Sequence, residues 1–96
     1  MLINATSSLS HIKSYEDPSI SSHLETIHVE TKNLPKLKYS LACIANSLTY
    51  NNSNRHYNIA AVSKQNNFKQ FIKLLSHYQD QKVLEESLSI LNVLLN

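Results

Sequence analysis

Glycine is absent from the 96 residues of this chain. The glycine-rich loops that cradle phosphates cannot form without it, so Walker-type and dinucleotide-binding fingerprints are excluded. Turns that need a left-handed residue, normally glycine, are expected to use asparagine, which tolerates this conformation next best. Tryptophan is absent too, and proline occurs only twice, as Pro18 and Pro35. Both prolines stand where a helix can begin, which agrees with an all-α fold.

Cysteine and excess charge are also scarce. The single cysteine, Cys43, excludes a disulfide within the chain and is typical of a small buried apolar residue. Nine basic and seven acidic residues leave a net charge of +2, too small for a strong phosphate-binding surface. No apolar run approaches the ~18 residues of a membrane span, and the first residues lack the pattern of a signal peptide. A cytoplasmic protein without membrane contact is expected.

What the sequence does contain is a repeat. When it is shifted by 47 residues, the apolar positions of the second half coincide with those of the first without a gap. The coinciding pairs include Leu24 with Phe71, Ile27 with Leu74, Leu37 with Leu84, Leu41 with Leu88, Ile44 with Leu91 and Leu48 with Leu95. The match predicts two units, residues 2–48 and 49–96, that together form one array.

Each unit is predicted to hold three helices, because its apolar residues recur at helical spacing and no stretch alternates like a strand. In the second unit the helices run from about Arg55 to Ser63, from about Asn67 to His77, and onward from Asp80, a good N-cap. Ile59 and Val62 are expected to face inward on the first of these helices. The inward residues expected on the other two are Phe68, Phe71, Leu74 and Leu75, and then Val83, Leu84, Leu88, Ile90, Leu91, Leu94 and Leu95.

The first unit follows the same plan. A short helix is predicted around Leu9, Ile12 and Tyr15. The second helix begins at Asp17-Pro18, with Asp17 as N-cap and Pro18 at the first helical position. The third begins near Leu34-Pro35, because proline disfavours the α conformation in the residue before it. The inward residues expected on these two helices are Ile20, Leu24 and Ile27, and then Leu37, Leu41, Ile44 and Leu48.

The stretch from Asn66 to Leu95 resembles an armadillo repeat. The second-helix pattern of that family is matched by Phe68, Phe71, Leu74 and Leu75, and the third-helix pattern by Ser87, Leu88 and Leu91. Asn66 stands where the family has its turn glycine. The first unit resembles the family more weakly, through Leu24, Ile27, Ser40, Leu41 and Ile44. HEAT repeats, which have a similar period, are the second choice.

The resemblance implies a right-handed α–α superhelix whose third helices line a concave groove for a protein or peptide partner. The implied protein-binding positions are Ala42, Asn46, Ser89, Asn92 and Val93. Asn46 and Asn92 would bond the partner backbone, and the small Ala42 and Ser89 would permit close approach. Peptide-binding members carry a Trp and Asn ladder, of which this chain keeps only Asn46. Importin-type recognition of basic signals is therefore not expected.

The resemblance also implies neighbouring repeats at both ends. A repeat buries its faces against the units before and after it, and terminal units normally carry a polar outer face. Neither end of this sequence has such a face. The expectation is a fragment of a longer array, the product of a truncated gene, or a subunit that stacks on a partner.

No catalytic, cofactor or metal site is predicted. The five histidines are spaced poorly for shared ligation, and no CxxC or HExxH pattern occurs. A non-enzymatic protein-interaction scaffold is the expectation. Two alternatives stay open: a small helical enzyme or enzyme subunit, and a basic helical module on nucleic acid. The second would use Lys32, Lys36, Lys38, Lys64, Lys69 and Lys73.

Overall fold

The computed structural model describes residues 18–29 and 32–96. The described residues form five helices and no strand, which confirms the predicted all-α class. The helices are α1 (Pro18–His28), α2 (Leu34–Ser47), α3 (Arg55–Val62), α4 (Gln65–His77) and α5 (Gln81–Leu95). The short helix predicted around Leu9, Ile12 and Tyr15 lies outside the described residues, as does Asp17.

Local sequence accounts for where the helices begin. α1 begins at Pro18, as predicted, because proline needs no partner for its missing N–H in the first turn. α2 begins at Leu34, where the side chain of Asn33 accepts a hydrogen bond from the Lys36 amide at 3.2 Å. The predicted N-cap of α5 is confirmed: the Asp80 carboxylate accepts from the Lys82 and Val83 amides at 3.0 and 3.1 Å.

The expected left-handed turn at Asn66 is wrong. α4 begins at Gln65, so Asn66 lies in its first turn, and no described residue has a positive φ. The chain turns instead at Lys64, whose φ and ψ of −56° and 144° are those of an extended residue. One extended residue between two helices redirects the chain without a left-handed conformation, so neither glycine nor asparagine is needed there.

The helices pack as two hairpins laid against each other. α1 packs on α2, and α4 packs on α5. Between the hairpins, α2 contacts α5 and α1 contacts α4, while the short α3 contacts α5. α4 begins 47 residues after α1, and α5 begins 47 residues after α2. Helices related by the 47-residue shift therefore lie side by side.

The core follows the predicted pattern except on α5. The predicted apolar faces of α1 and α2 are buried, as are Phe71 and Leu74 of α4, and Phe68 and Leu75 pack partly buried against them. On α5, however, Leu88 and Leu95 are exposed, and the buried stripe is formed by Val83, Ser87, Ile90 and Leu91. Because α5 packs against α2 as well as α4, its buried face is turned towards Val83 and Ile90.

A buried amide joins α3 to α2. Val62 is buried as predicted, whereas Ile59 is only half-buried, and Asn58 is fully buried beside them. The Asn58 Nδ2 donates a hydrogen bond to the Ser47 carbonyl, at 2.9 Å, in the last turn of α2. That carbonyl has no partner within its own helix, so the amide satisfies it in the core.

Candidate functional site

A cleft opens where the second half of α2 faces α5. Its volume is about 380 Å³. One wall comes from α2 and the link that follows it, the other from α5, and α3 contributes its first residue. The lining residues are Ala45, Asn46, Leu48, Thr49, Tyr50, Arg55, Glu86, Ser89, Ile90 and Val93. We call this depression the α2–α5 cleft.

Arg55 is the cation of the α2–α5 cleft. Its Nε–H donates a hydrogen bond of 2.8 Å to the Leu48 carbonyl at the end of α2. The guanidinium carbon lies 4.3 Å from the centre of the Tyr50 ring, which is within the range of a cation–π contact. The bond and the stacked ring together fix a side chain that would otherwise sample many rotamers. The planar guanidinium carries four further N–H donors besides the one on Nε.

Glu86 supplies the negative charge on the opposite wall. Its carboxylate lies 3.4 Å from the Lys82 ammonium, one helical turn earlier on α5. Asn46, Thr49 and Ser89 add amide and hydroxyl groups, and Leu48, Ile90 and Val93 supply apolar surface. The α2–α5 cleft thus offers one cation, one anion and several neutral hydrogen-bonding groups over an apolar floor.

An ion pair fixes α2 against the start of α5. The Lys38 ammonium lies 3.1 Å from the Asp80 carboxylate, which also caps α5. Burial raises the pKa of Asp80, but the hydrogen bond from Val83, the Lys38 ammonium and the hydrogen bond from Lys82 outweigh it, so the net pKa is lowered. Asp80 therefore stays ionised while it holds the two walls in register.

The structure places three of the five predicted binding positions in this cleft. Asn46, Ser89 and Val93 line it, with Asn46 and Ser89 exposed and Val93 half-buried. Ala42 is half-buried on α2, and Asn92 is exposed on α5, and neither is part of the lining. The family pattern implied that residues of α2 and α5 would lie close together. In the structure Asn46 of α2 lies near Ser89 and Val93 of α5, whereas Ala42 and Asn92 lie outside the cleft.

The sequence reasoning missed the charged and aromatic lining residues. Arg55 was assigned only to the start of a short helix, and Thr49, Tyr50 and Glu86 were not considered as binding residues. One signal was available for Arg55, because it is the only arginine among the nine basic residues. Arginine is the residue that binds carboxylates in a fixed geometry, so a lone arginine among lysines is informative.

A second cavity of about 190 Å³ lies between α1 and α4. Two hydrogen bonds cross beside it: His28 Nε2 lies 2.6 Å from the Asn67 Oδ1, and the Gln70 amide donates to the Ile27 carbonyl at 2.8 Å. Its basic residues, His28, Lys73 and His77, surround an apolar floor. These bonds join α1 to α4, the first helices of the two hairpins, so the cavity is part of the contact between the hairpins.

Other features bear on the alternatives to a protein-binding site. Of the lysines considered for nucleic acid, Lys38 is paired with Asp80. Across residues 18–29 and 32–96, no three side chains of His, Cys, Asp or Glu are grouped so that they could hold a metal ion. In the same ranges, no helix has both the length and the apolar character needed to cross a membrane.

Comparison of the chain with family models, curated proteins and solved structures finds no match.

Proposed function

We propose that this chain is a non-enzymatic protein-interaction module and that the α2–α5 cleft holds an extended segment of a partner protein. The observation that carries the proposal is the meeting of Asn46 with Ser89 and Val93 in one depression, although they lie on different hairpins. An armadillo-like stacking of the two units is part of the same proposal. The pairing of α1 with α4 and of α2 with α5 supports it.

The neutral groups of the cleft suit a peptide backbone. An extended segment presents N–H and C=O groups that need partners once they leave water. The amide of Asn46 can donate and accept, and so can the hydroxyls of Thr49 and Ser89. Ser89 is also small enough to let a backbone approach α5 closely. The cleft volume, about 380 Å³, falls within the range of ligand sites, about 300–1,000 Å³.

Arg55 adds a preference for an acidic residue in the partner. A guanidinium held by the Leu48 carbonyl and the Tyr50 ring is already ordered, so little entropy is lost when a carboxylate binds it. Glu86 on the other wall disfavours a second carboxylate there. We expect the partner segment to carry Asp or Glu at the Arg55 end and neutral or basic residues towards Glu86.

The polar groups of the cleft suit binding better than proton transfer. Apart from the Glu86 carboxylate and the Tyr50 phenol, the polar side chains that line the cleft are amides, aliphatic hydroxyls and one guanidinium, which form hydrogen bonds but do not exchange protons near neutral pH. These groups can hold a ligand in a fixed orientation through hydrogen bonds. This chemistry supports a binding module over the small-enzyme alternative.

A random-peptide selection on the full chain tests the proposal. Peptides displayed on phage are selected on the immobilised protein, and the recovered peptides are synthesised and titrated by ¹⁵N NMR. We expect acidic peptides whose binding shifts the amide signals of residues 45–50, 55 and 86–93. Asn46→Ala is expected to weaken binding about tenfold, the loss of roughly one hydrogen bond, and Arg55→Met by at least as much.

The matched control is Asn66→Ala, which removes an exposed amide from α4 outside the cleft. Its affinity should equal that of the wild type. Recovered peptides that shift other surfaces, or equal losses from Asn46→Ala and Asn66→Ala, would contradict the assignment of the cleft.

A further inference from the structure

The hairpin formed by α4 and α5 has two sides, and the other described helices cover only one of them. On α4, Asn67 and Gln70 bond to α1, and on α5, Ile90 and Val93 face α2 across the cleft. The opposite side carries an apolar set that we call the outer face: the half-buried Phe68, Leu75 and Leu84 and the exposed Ile72, Leu88 and Leu95. Ile72 is 48% exposed, Leu88 is 55% exposed and Leu95 is 72% exposed.

The first hairpin shows how such a leucine row is normally covered in this protein. Shifted by 47 residues, Leu84, Leu88 and Leu95 correspond to Leu37, Leu41 and Leu48 of α2. Those three are 1%, 0% and 2% exposed, because the second hairpin packs over them. The same row is thus buried by a helical hairpin on α2, whereas on α5 the described residues leave Leu88 and Leu95 exposed and Leu84 half-buried. The outer face continues an interface that the chain already builds once.

We propose that a second copy of this chain covers the outer face, in a two-fold symmetric dimer that pairs α5 with α5 in antiparallel orientation. A two-fold contact requires only that a surface be complementary to itself. The outer-face leucines of α5, at 84, 88 and 95, are separated by steps of four and seven, the spacing that places them on one side of a helix that packs against another helix.

Charges beside the leucine row fit this antiparallel pairing. Glu85 and Asn92 flank the row on the same side of α5. An antiparallel pair centred midway between Glu85 and Asn92, next to Leu88, sets Glu85 of one copy beside Asn92 of the second copy. A carboxylate then meets an amide donor, and no like charges face each other.

A head-to-tail stack of copies is disfavoured by the other end of the molecule. On α5, Val83 and Ile90 belong to the buried face that packs towards the first hairpin. The corresponding residues of α2, which a head-to-tail neighbour would cover, are Lys36 and Cys43. Burying the exposed Lys36 ammonium without a partner is costly. The outer face therefore pairs with itself.

The size of the outer face sets the expected strength. α5 has 15 residues and is about 22 Å long, and two packed helices are about 20 Å wide. Two such faces bury on the order of 1,000 Å² in total, near the lower limit for specific interfaces. We expect a dissociation constant in the micromolar range, about 1–100 μM.

Sedimentation equilibrium of the full chain, from about 1 to 500 μM, tests the dimer. A reducing agent prevents disulfide formation through Cys43. The expected mass rises from the monomer value of 10.9 kDa to twice that value and no further. Leu88→Gln is expected to raise the dissociation constant at least tenfold, because it places an amide in the centre of the leucine row. Circular dichroism checks that the exposed substitution leaves the fold intact.

Two further variants make the result decisive. Ile72→Gln changes the outer face on α4 and should weaken the dimer independently of α5. Tyr39→Gln changes an equally exposed side chain on the first hairpin and should leave the mass curve unchanged. The proposal is overturned if the protein is a monomer at every concentration, or if it forms a dimer that neither Leu88→Gln nor Ile72→Gln weakens. It is also overturned if the mass rises beyond that of a dimer and Tyr39→Gln prevents this rise.

Discussion

Among residues 18–29 and 32–96, four polar side chains are buried, and they differ in how their hydrogen bonds are satisfied. Ser47 Oγ donates to the Ile44 carbonyl at 2.6 Å, and Ser40 lies 3.3 Å from a ring nitrogen of His23. Asn58 bonds the Ser47 carbonyl. The Ser87 hydroxyl, among the described residues, has no partner although it is fully buried. An unpaired buried hydroxyl destabilises the folded state, so Ser87 is a weak point in α5.

Replacing Ser87 with alanine is therefore expected to stabilise the protein. Ser87→Ala removes the unpaired hydroxyl and raises helix propensity, and together these effects should increase the free energy of unfolding by about 1 kcal/mol. Urea denaturation followed by circular dichroism measures the change. Ser76→Ala on α4 is the control, because the Ser76 hydroxyl is exposed and bonded to the Lys73 carbonyl. A gain no larger than that of Ser76→Ala would show that the buried hydroxyl costs nothing.

Among the helices whose N-cap residue the structure describes, α5 has the most completely capped N-terminus. Asp80 accepts two backbone hydrogen bonds there and pairs with Lys38 of α2. The lowered pKa of Asp80 means that the unfolded chain binds its proton more tightly than the folded chain does. The stabilisation from Asp80 is therefore complete above the usual pKa of 3.8 and is lost as the pH falls through the lowered folded value.

Asp80→Asn separates the charge of this residue from its capping role. Asparagine caps a helix about as well as aspartate, but it neither titrates nor pairs with Lys38 as a charge. Thermal melting between pH 2 and 7 should show a smaller loss of Tm in acid for the variant than for the wild type. The variant should also have a lower Tm at pH 7. Lys38→Gln, which leaves the carboxylate in place, should retain part of the acid dependence. Parallel Tm curves for wild type and Asp80→Asn would refute the role assigned to Asp80.

The sequence predicts the helices better than it predicts their orientation. Periodicity located the buried faces of α1 and α2 because each helix is buried along a single apolar stripe. The stripe consists of Ile20, Leu24 and Ile27 on α1, and of Leu37, Leu41 and Ile44 on α2. α5 carries apolar residues over a wider arc, so its pattern could not show which part of the arc meets α2. Leu88 was expected inside for this reason and is exposed.

The candidate site was predicted in part for a similar reason. The family pattern supplied Asn46, Ser89 and Val93 as positions on facing helices. Tyr50 lies in the link after α2, and that link also sets where Arg55, the first residue of α3, stands beside the cleft. The path of the link depends on bonds such as that from Arg55 to the Leu48 carbonyl. Such a bond spans seven residues without a regular repeat, so no periodicity reveals it.

For the molecule as a whole, α3 lies between the two hairpins, and the fully buried Asn58 amide fastens it to the end of α2. Asn58→Ala leaves the Ser47 carbonyl without this donor inside the core. We expect the free energy of unfolding to fall by about 1–3 kcal/mol, measured by urea denaturation.

Asn51→Ala, in the exposed link between α2 and α3, is the control and should change stability by less than about 0.5 kcal/mol. Equal effects of the two substitutions would mean that the buried Asn58 amide does not stabilise the contact between α3 and α2.

The bonds from α3 to the end of α2 make the two helices depend on each other. Eight residues are too few for a helix to persist alone in water, so α3 relies on its contacts with the rest of the protein. In turn, the Arg55 and Asn58 side chains of α3 donate hydrogen bonds to the Leu48 and Ser47 carbonyls. Without these donors the end of α2 would fray. Local unfolding therefore cannot release α3 while the last turn of α2 stays fully bonded. We therefore expect α3 and the last turn of α2 to exchange their amide hydrogens as one cooperative unit, in a single opening step rather than residue by residue.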